Sequence, residues 1–190
     1  MIRLERKFAS LKENSKKALV AYLVAGDPDI STTLELMHQF VLSGVDIIEL
    51  GVPFTDPIAE GPIIQAAHDR ALQANTSLDM IFSLVEEFRS KDSETPVILM
   101  GYINTFLANS KALDSIHERG TDAVLIVDVP GESSLEDIGI QNKNIASISL
   151  ISPTTDNDRI QKICMSSSGF IYYVPLRGVT GASNLNEDEI

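Results

Sequence analysis

Six short, nearly continuous apolar runs recur along the chain: 18–26 (ALVAYLVAG), 45–51 (VDIIELG), 95–102 (TPVILMGY), 122–130 (DAVLIVDVP), 145–152 (IASISLIS) and 169–176 (GFIYYVPL). Apolar residues that run on, instead of alternating with polar ones, predict strands covered on both faces, as in a parallel sheet. Between the runs, apolar positions recur at helical spacing over 31–44, 77–91, 104–120, 131–141 and 156–168, and a further amphipathic helix is predicted at about 2–13. Several of these segments open on Ser, Asp or Asn, which can cap a helix N-terminus, and two close on Gly44 and Gly120. The order is therefore a repeated β-α, which predicts a parallel sheet wrapped by helices, either doubly wound or closed into a (β/α)8 barrel.

Two features favour the (β/α)8 TIM barrel. No strand runs into a G-x-G-x-x-G turn, the mark of a dinucleotide site, and polar residues gather at strand C-terminal ends, where barrel active sites lie. A closed barrel has eight strands and about 250 residues, whereas six βα units are read in these 190 residues. The expectation is one TIM-barrel domain over 1–190 that lacks units seven and eight. A chain ending at Ile190 would be an open three-quarter barrel, and a longer full protein is the simpler reading.

Composition adds a constraint. Hydrophobic residues make up 44% and charged residues 22%, as in a globular protein. With 15 Lys and Arg against 27 Asp and Glu, the net charge is −12, which offers neither nucleic acid nor an anionic membrane a basic surface. An anionic small molecule would have to be held by backbone N–H groups and helix N-termini against that field. Cys164 is the single cysteine, so no intrachain disulfide or Cys-based zinc framework can form, and it reads as buried packing on a helix. The start of the chain lacks the apolar stretch of a signal peptide and no run approaches a membrane span, which fits a cytoplasmic protein. The sequon Asn75-Thr76-Ser77 carries little weight in that setting.

The candidate chemistry centres on 46–64, DIIELGVPFTDPIAEGPII. Glu49 lies near the end of an apolar strand, where burial disfavours its charged form and drives its pKa upward, a property suited to acid-base work near neutral pH. Position alone leaves a capping carboxylate equally open. Pro53, Pro57 and Pro62 stiffen the loop that follows, and its Asp56 and Glu60 take the ordinary reading of solvent-facing acids, although the loop is long enough to fold Glu60 back over Glu49. The stretch 178–182 (GVTGA), beside Arg177, could present backbone N–H groups to a phosphate or be only a polar loop. His38, His68 and His117 fall in helical segments with no nucleophile nearby and are set aside. Tyr102 and Tyr172, at strand ends, are candidate pocket walls.

Taken together, LVAGDPD (23–29), ELGVPFTDPIAEGPIIQAA (49–67), MGYINTF (100–106), DAVLIVDVP (122–130) and YYVPLRGVTGA (172–182) resemble, in order and spacing, the tryptophan synthase alpha subunit family over essentially the whole chain. That resemblance implies a (β/α)8 barrel that cleaves indole-3-glycerol phosphate to indole and glyceraldehyde 3-phosphate by a retro-aldol reaction. It implies no cofactor or metal in this subunit, and a partner beta subunit that holds pyridoxal phosphate in an alpha-beta-beta-alpha heterotetramer. By the same resemblance Glu49 is the acid-base residue, Glu60 meets the indole N–H, and Tyr172 is an active-site tyrosine. Tyr22, Ile64, Met100 and Tyr102 line the indole pocket, and Thr180 and Gly181 belong to a mobile phosphate-side loop. Pro53, Phe54, Asp56, Pro57 and Asn104 fall on the surface toward beta.

Two departures stand out. Glu60 replaces the usual aspartate and is one methylene longer, and Pro175, Leu176 and Arg177 differ from the usual serine- and arginine-containing run. A second reading is therefore an alpha subunit of reduced or lost activity that mainly binds and activates beta. A third is another phosphate-binding barrel enzyme.

Overall fold

The computed structural model describes residues 3–108, 115–141 and 144–174. Six strands form one parallel sheet in sequence order: β1 (Val20–Val24), β2 (Ile47–Gly51), β3 (Val97–Gly101), β4 (Ala123–Ile126), β5 (Ala146–Ile151) and β6 (Ile171–Tyr173). Each strand pairs with its neighbour in sequence and the order never reverses. A doubly wound sheet must reverse at a switch point, so this order is that of a barrel wall. Curling is visible in one contact: Tyr172 on β6 reaches Glu49 on β2 across the inside of the sheet.

The helices are α1 (Arg3–Glu13), α2 (Ile30–Leu42), α3 (Pro62–Gln73), α4 (Leu78–Arg89), α5 (Ile103–Leu107) and α6 (Asn157–Ser166). Capping follows the sequence signals. The Asp29 carboxylate accepts from the Thr32 N–H at 2.7 Å to start α2, and Ser77 accepts from Met80 at 3.3 Å to start α4. Gly44, with φ of 91°, lets the chain leave α2 through a left-handed turn that a side chain would strain. Pro62 opens α3, where its missing N–H costs nothing.

Side chains alternate between two cores. Ile48, Leu50, Val97, Leu99 and Val124 point outward to meet Ile81, Phe82, Val85 and Phe88 of α4 and Met37 of α2. Ile47, Ile98, Met100, Ala123, Leu125, Ala146 and Ile148 point inward, and Leu4 of α1 closes the inside at its lower end. Strands buried on both faces are the reason that the runs show no alternation.

Two predicted elements differ, and one helix was not predicted. A helix over 104–120 is shortened to α5 before the chain leaves the described residues, and 115–120 is turn. The helix predicted over 131–141 is a chain of turns: the Ser134 N–H and hydroxyl both donate to the Asp137 carboxylate, at 2.9 and 2.8 Å, and such local bonds compete with the helical ladder. Helix α3 was hidden within the loop reading of the proline-rich stretch after β2. Cys164 lies on α6 as expected, but it is exposed and not packing.

Candidate active site

The site forms at the C-terminal ends of the strands, on the inner side of the curl. Glu49 is paired in register with Tyr22 on β1 and Ile98 on β3, so all three point inward. Only 6% of Glu49 is exposed. Burial pushes its pKa up; the bond from Tyr172 pulls it down, and the charge of Glu60 pushes it up again. That bond, from the Tyr172 hydroxyl to Glu49 Oε2, measures 2.6 Å, the short distance typical of an O–H donor to an ionised carboxylate. Tyr172 is itself braced by an edge-to-face ladder, with Phe170 at 4.9 Å and Phe8 of α1 at 5.7 Å beyond it. Its own ionisation is strongly disfavoured by burial and by Glu49, so it serves as a fixed donor.

Glu60 comes from the loop, yet it is 2% exposed. The loop folds inward because its backbone is anchored at several points. Val52 N–H donates to the Met100 carbonyl at 2.8 Å, Ala59 N–H to the Tyr102 hydroxyl at 3.1 Å, and Phe54 N–H to His68 Nδ1 at 3.1 Å. The Phe54 ring stacks on Tyr102 at 4.9 Å, and Gln65 of α3 donates to the Glu60 carbonyl at 2.8 Å. The ordinary reading of Glu60 as a solvent-facing loop acid is thereby overturned, while Asp56 is exposed as that reading expects.

Tyr22 lies close enough to both acids to feel their charges. Its hydroxyl is buried without a hydrogen-bond partner among the described residues, and its ionisation is disfavoured by burial, then by Glu60, Glu49 and Tyr102. It presses so closely on the end of β2 that a Cβ at Gly51 would collide with it, which explains a glycine there. Met100 and Tyr102 join the lining, both nearly inaccessible, and Ile64 packs with Tyr22 against Val24, Ala67 and Ala71. Thus the structure brings Tyr22, Glu49, Glu60, Met100, Tyr102 and Tyr172 to one place.

Of the residues expected on a partner surface, Pro53 is buried beneath the loop, Phe54 and Pro57 are half-buried, and Asp56 and Asn104 are exposed. Thr180, Gly181, Arg177, Pro175 and Leu176 lie outside the described residues. Among the described residues no three His, Cys, Asp or Glu side chains gather as a metal site, and no helix is long and apolar enough to cross a membrane. His68, set aside on sequence grounds, is fully buried and holds the loop; its partner is a backbone N–H that no pattern announces.

An unreversed parallel sheet with two buried glutamates and three tyrosines gathered toward the C-terminal side of its strands defines a (β/α)-barrel protein. The sequence profile of the tryptophan synthase alpha chain matches residues 8–190. The alpha chain of Marinobacter nauticus is 44% identical over 193 aligned residues, covering all of this chain and 72% of that protein; that of Nitrosococcus oceani is 46% identical, covering all of this chain and 71% of that one. The crystal structure of the alpha subunit from Legionella pneumophila superposes with a TM-score of 0.86 at 42% identity, over 92% of this chain and 68% of that one. A structure of the Pyrococcus furiosus tryptophan synthase α2β2 complex, described for its mutual activation, superposes with a TM-score of 0.75 at 36% identity, over 82% of this chain and 64% of that one. The chain belongs to the tryptophan synthase alpha chain family, a family of lyases.

Proposed function

We propose that this chain cleaves indole-3-glycerol phosphate to indole and glyceraldehyde 3-phosphate. In that reaction the indole C3 gains a proton, the bond from C3 to the glycerol carbon breaks, and the glycerol hydroxyl loses its proton as its carbon becomes the aldehyde. The net change moves one proton from oxygen to carbon, so a single carboxyl that carries it serves both ends. Glu49 is that group. Burial raises its pKa toward neutrality, and the Tyr172 hydroxyl, 2.6 Å away, aims it and steadies its anion between transfers. Glu60 accepts from the indole N–H and stabilises the positive charge that the ring gains when C3 is protonated. Tyr22, Ile64, Met100 and Tyr102 hold the ring.

The observation that carries the reading is the meeting of two buried glutamates, Glu49 on β2 and Glu60 from the loop after it, with Tyr172 of β6 more than a hundred residues further along the chain. None of these steps needs a metal or an organic cofactor. Thr180 and Gly181 are proposed to meet the phosphate side of the substrate. A beta subunit carrying pyridoxal phosphate is proposed to receive the indole, against the surface that includes Asp56 and Asn104; the P. furiosus α2β2 assembly supports that pairing by analogy. The cytoplasm is the setting that such a complex implies.

Glu60 is proposed to slow the reaction relative to an aspartate, because the longer side chain displaces the carboxylate from the ring N–H. Steady-state cleavage of indole-3-glycerol phosphate, with and without a beta subunit, tests the whole. Turnover that beta stimulates is expected, and no turnover in either case overturns the reading. Acceleration of the beta reaction by a chain that does not turn over would instead establish the second reading, a partner that activates without chemistry.

A further inference from the structure

The loop that delivers Glu60 is held by a short relay. His68, in the second turn of α3, is fully buried. Its Nδ1 accepts the Phe54 N–H at 3.1 Å, so Nδ1 carries no proton and the neutral ring carries its proton on Nε2, which is buried without a partner among the described residues. Fixing the Phe54 backbone places its ring on Tyr102, with centroids 4.9 Å apart and planes 21° from parallel. The Tyr102 hydroxyl in turn accepts the Ala59 N–H at 3.1 Å, one residue before Glu60. The relay touches the loop on both sides of its exposed tip, Thr55–Asp56 and Ile58.

We infer that His68 is a positioning residue for the lyase reaction: as a hydrogen-bond acceptor at the Nδ1 position it anchors Phe54, and through Phe54, Tyr102 and Ala59 it holds the Glu60 carboxylate in the pocket. This rests on the reading of Glu60 as the group that meets the indole N–H. The ring must be neutral, because protonation at Nδ1 would set two donors against each other. Burial pushes the His68 pKa down against an opposing pull from Asp69 beside it on α3, which keeps the acceptor available at neutral pH. A catalytic carboxylate misplaced by about 1 Å can lose on the order of a hundredfold in rate, so a relay that sets loop position acts on turnover without touching substrate.

Three substitutions separate the acceptor from mere packing. In H68N the side-chain Oδ1 falls where Nδ1 lies; in H68Q the carbonyl falls one atom further out; H68L fills the space with no acceptor. Amide hydrogen exchange at Phe54 is read first, because it reports the anchor whether or not the protein turns over. Protection as in the wild type is expected in H68N, with at least about a tenfold loss in H68Q and H68L, the loss of about 1.4 kcal/mol that one hydrogen bond supplies. Steady-state cleavage of indole-3-glycerol phosphate is then expected to fall about ten- to a hundredfold in kcat for H68Q and H68L, with a smaller change in KM, and to stay near wild type in H68N. Unchanged Phe54 exchange in both H68Q and H68L overturns the inference, and so does an H68N protein as exposed and as slow as H68L. If the wild type itself shows no turnover, the reading of the reaction fails, while the exchange measurement still decides whether His68 anchors the loop.

Discussion

The two ends of the same sheet bury carboxylates, and they treat them in opposite ways. At the N-terminal end Asp122, just before β4, is wholly inaccessible and saturated with donors: Arg89 at 2.8 Å, Arg3 at 3.1 Å and the Val97 N–H at 2.9 Å. Arg89 is equally committed, donating also to the Gly120 and Thr95 carbonyls at 2.9 and 2.7 Å; burial still pushes its pKa down, to about 10, against the pull of Asp122. Nearby, Asp92 accepts from the Thr95 N–H and hydroxyl and from the Glu94 N–H. At the C-terminal end Glu49 faces another carboxylate, Glu60, with a tyrosine as its donor and, among the described residues, no guanidinium beside it. A saturated charge braces the strands, whereas one left beside a like charge can change its protonation state. The first arrangement suits stability and the second suits the proposed chemistry, and the sheet keeps them a strand's length apart.

The largest effect should come from the reactive end. Glu49→Gln keeps an acceptor for Tyr172 but cannot carry a proton, so turnover is expected to fall by about a hundredfold to ten-thousandfold, with the denaturation midpoint unchanged or slightly raised. Loss of stability matching the loss of rate would erase the contrast between the ends. The mirror experiment is Asp122→Ala. It leaves Arg89 and the Val97 N–H without their partner, and a broken buried pair costs about 3–5 kcal/mol. Urea denaturation should show that loss, while the surviving folded fraction keeps the pH dependence of turnover; a cost below about 1 kcal/mol would mark Asp122 as an ordinary surface-type pair.

A finer change within the reactive end is Glu60→Asp. Retracting the carboxylate by one methylene is expected to raise kcat, by up to about a hundredfold, with little effect on stability. An equal or lower rate would show that the anchored loop already sets the glutamate where it is needed.

The contrast between the ends also explains what could be read from the chain. Apolar runs buried on both faces are a local signal, so six strands and a barrel-like βα order were legible, and Glu49 stood out because an acid inside IIEL is expensive unless it is used. The resemblance points to Glu60, Tyr172 and Tyr22, and the fold gathers these around Glu49. What escaped was non-local or locally frustrated. Helix α3 was masked because three prolines precede its first full turn, and the turns at 131–141 follow from Ser134 and Asp137 bonding to each other instead of to a helix. The Asp122–Arg89 pair joins residues 33 apart, and the His68 anchor is made to a backbone group; neither has a spacing that a pattern could reveal. Glu60 looked like an ordinary loop acid because burial of a loop depends on its anchors, Tyr102 and His68, which lie elsewhere in the sequence.

The smallest expected effect concerns the pH dependence of stability, where the two ends should act with opposite sign. Glu49 has a folded pKa above its usual 4.5, so the folded state holds its proton more tightly than the unfolded chain; the resulting stability is fully present below 4.5 and is lost as pH rises through the folded value. Asp92 is the reverse. Burial pushes it upward, but the bonds from Thr95 and Glu94 and the charge of Arg89 carry it below its usual 3.8, so its contribution is present above 3.8 and is lost as pH falls through the folded value. Stability measured by urea denaturation across pH should therefore decline on both sides. Glu49→Gln should flatten the decline on the alkaline side only, and Asp92→Asn the decline on the acid side only. Tyr172→Phe provides the sharpest version, since it removes the bond that lowers the Glu49 pKa and should move the alkaline decline to higher pH. A Tyr172→Phe curve that superimposes on the wild type would mean that the 2.6 Å contact does not favour the Glu49 anion, and the proposed division of labour between the two ends would lose its electrostatic basis.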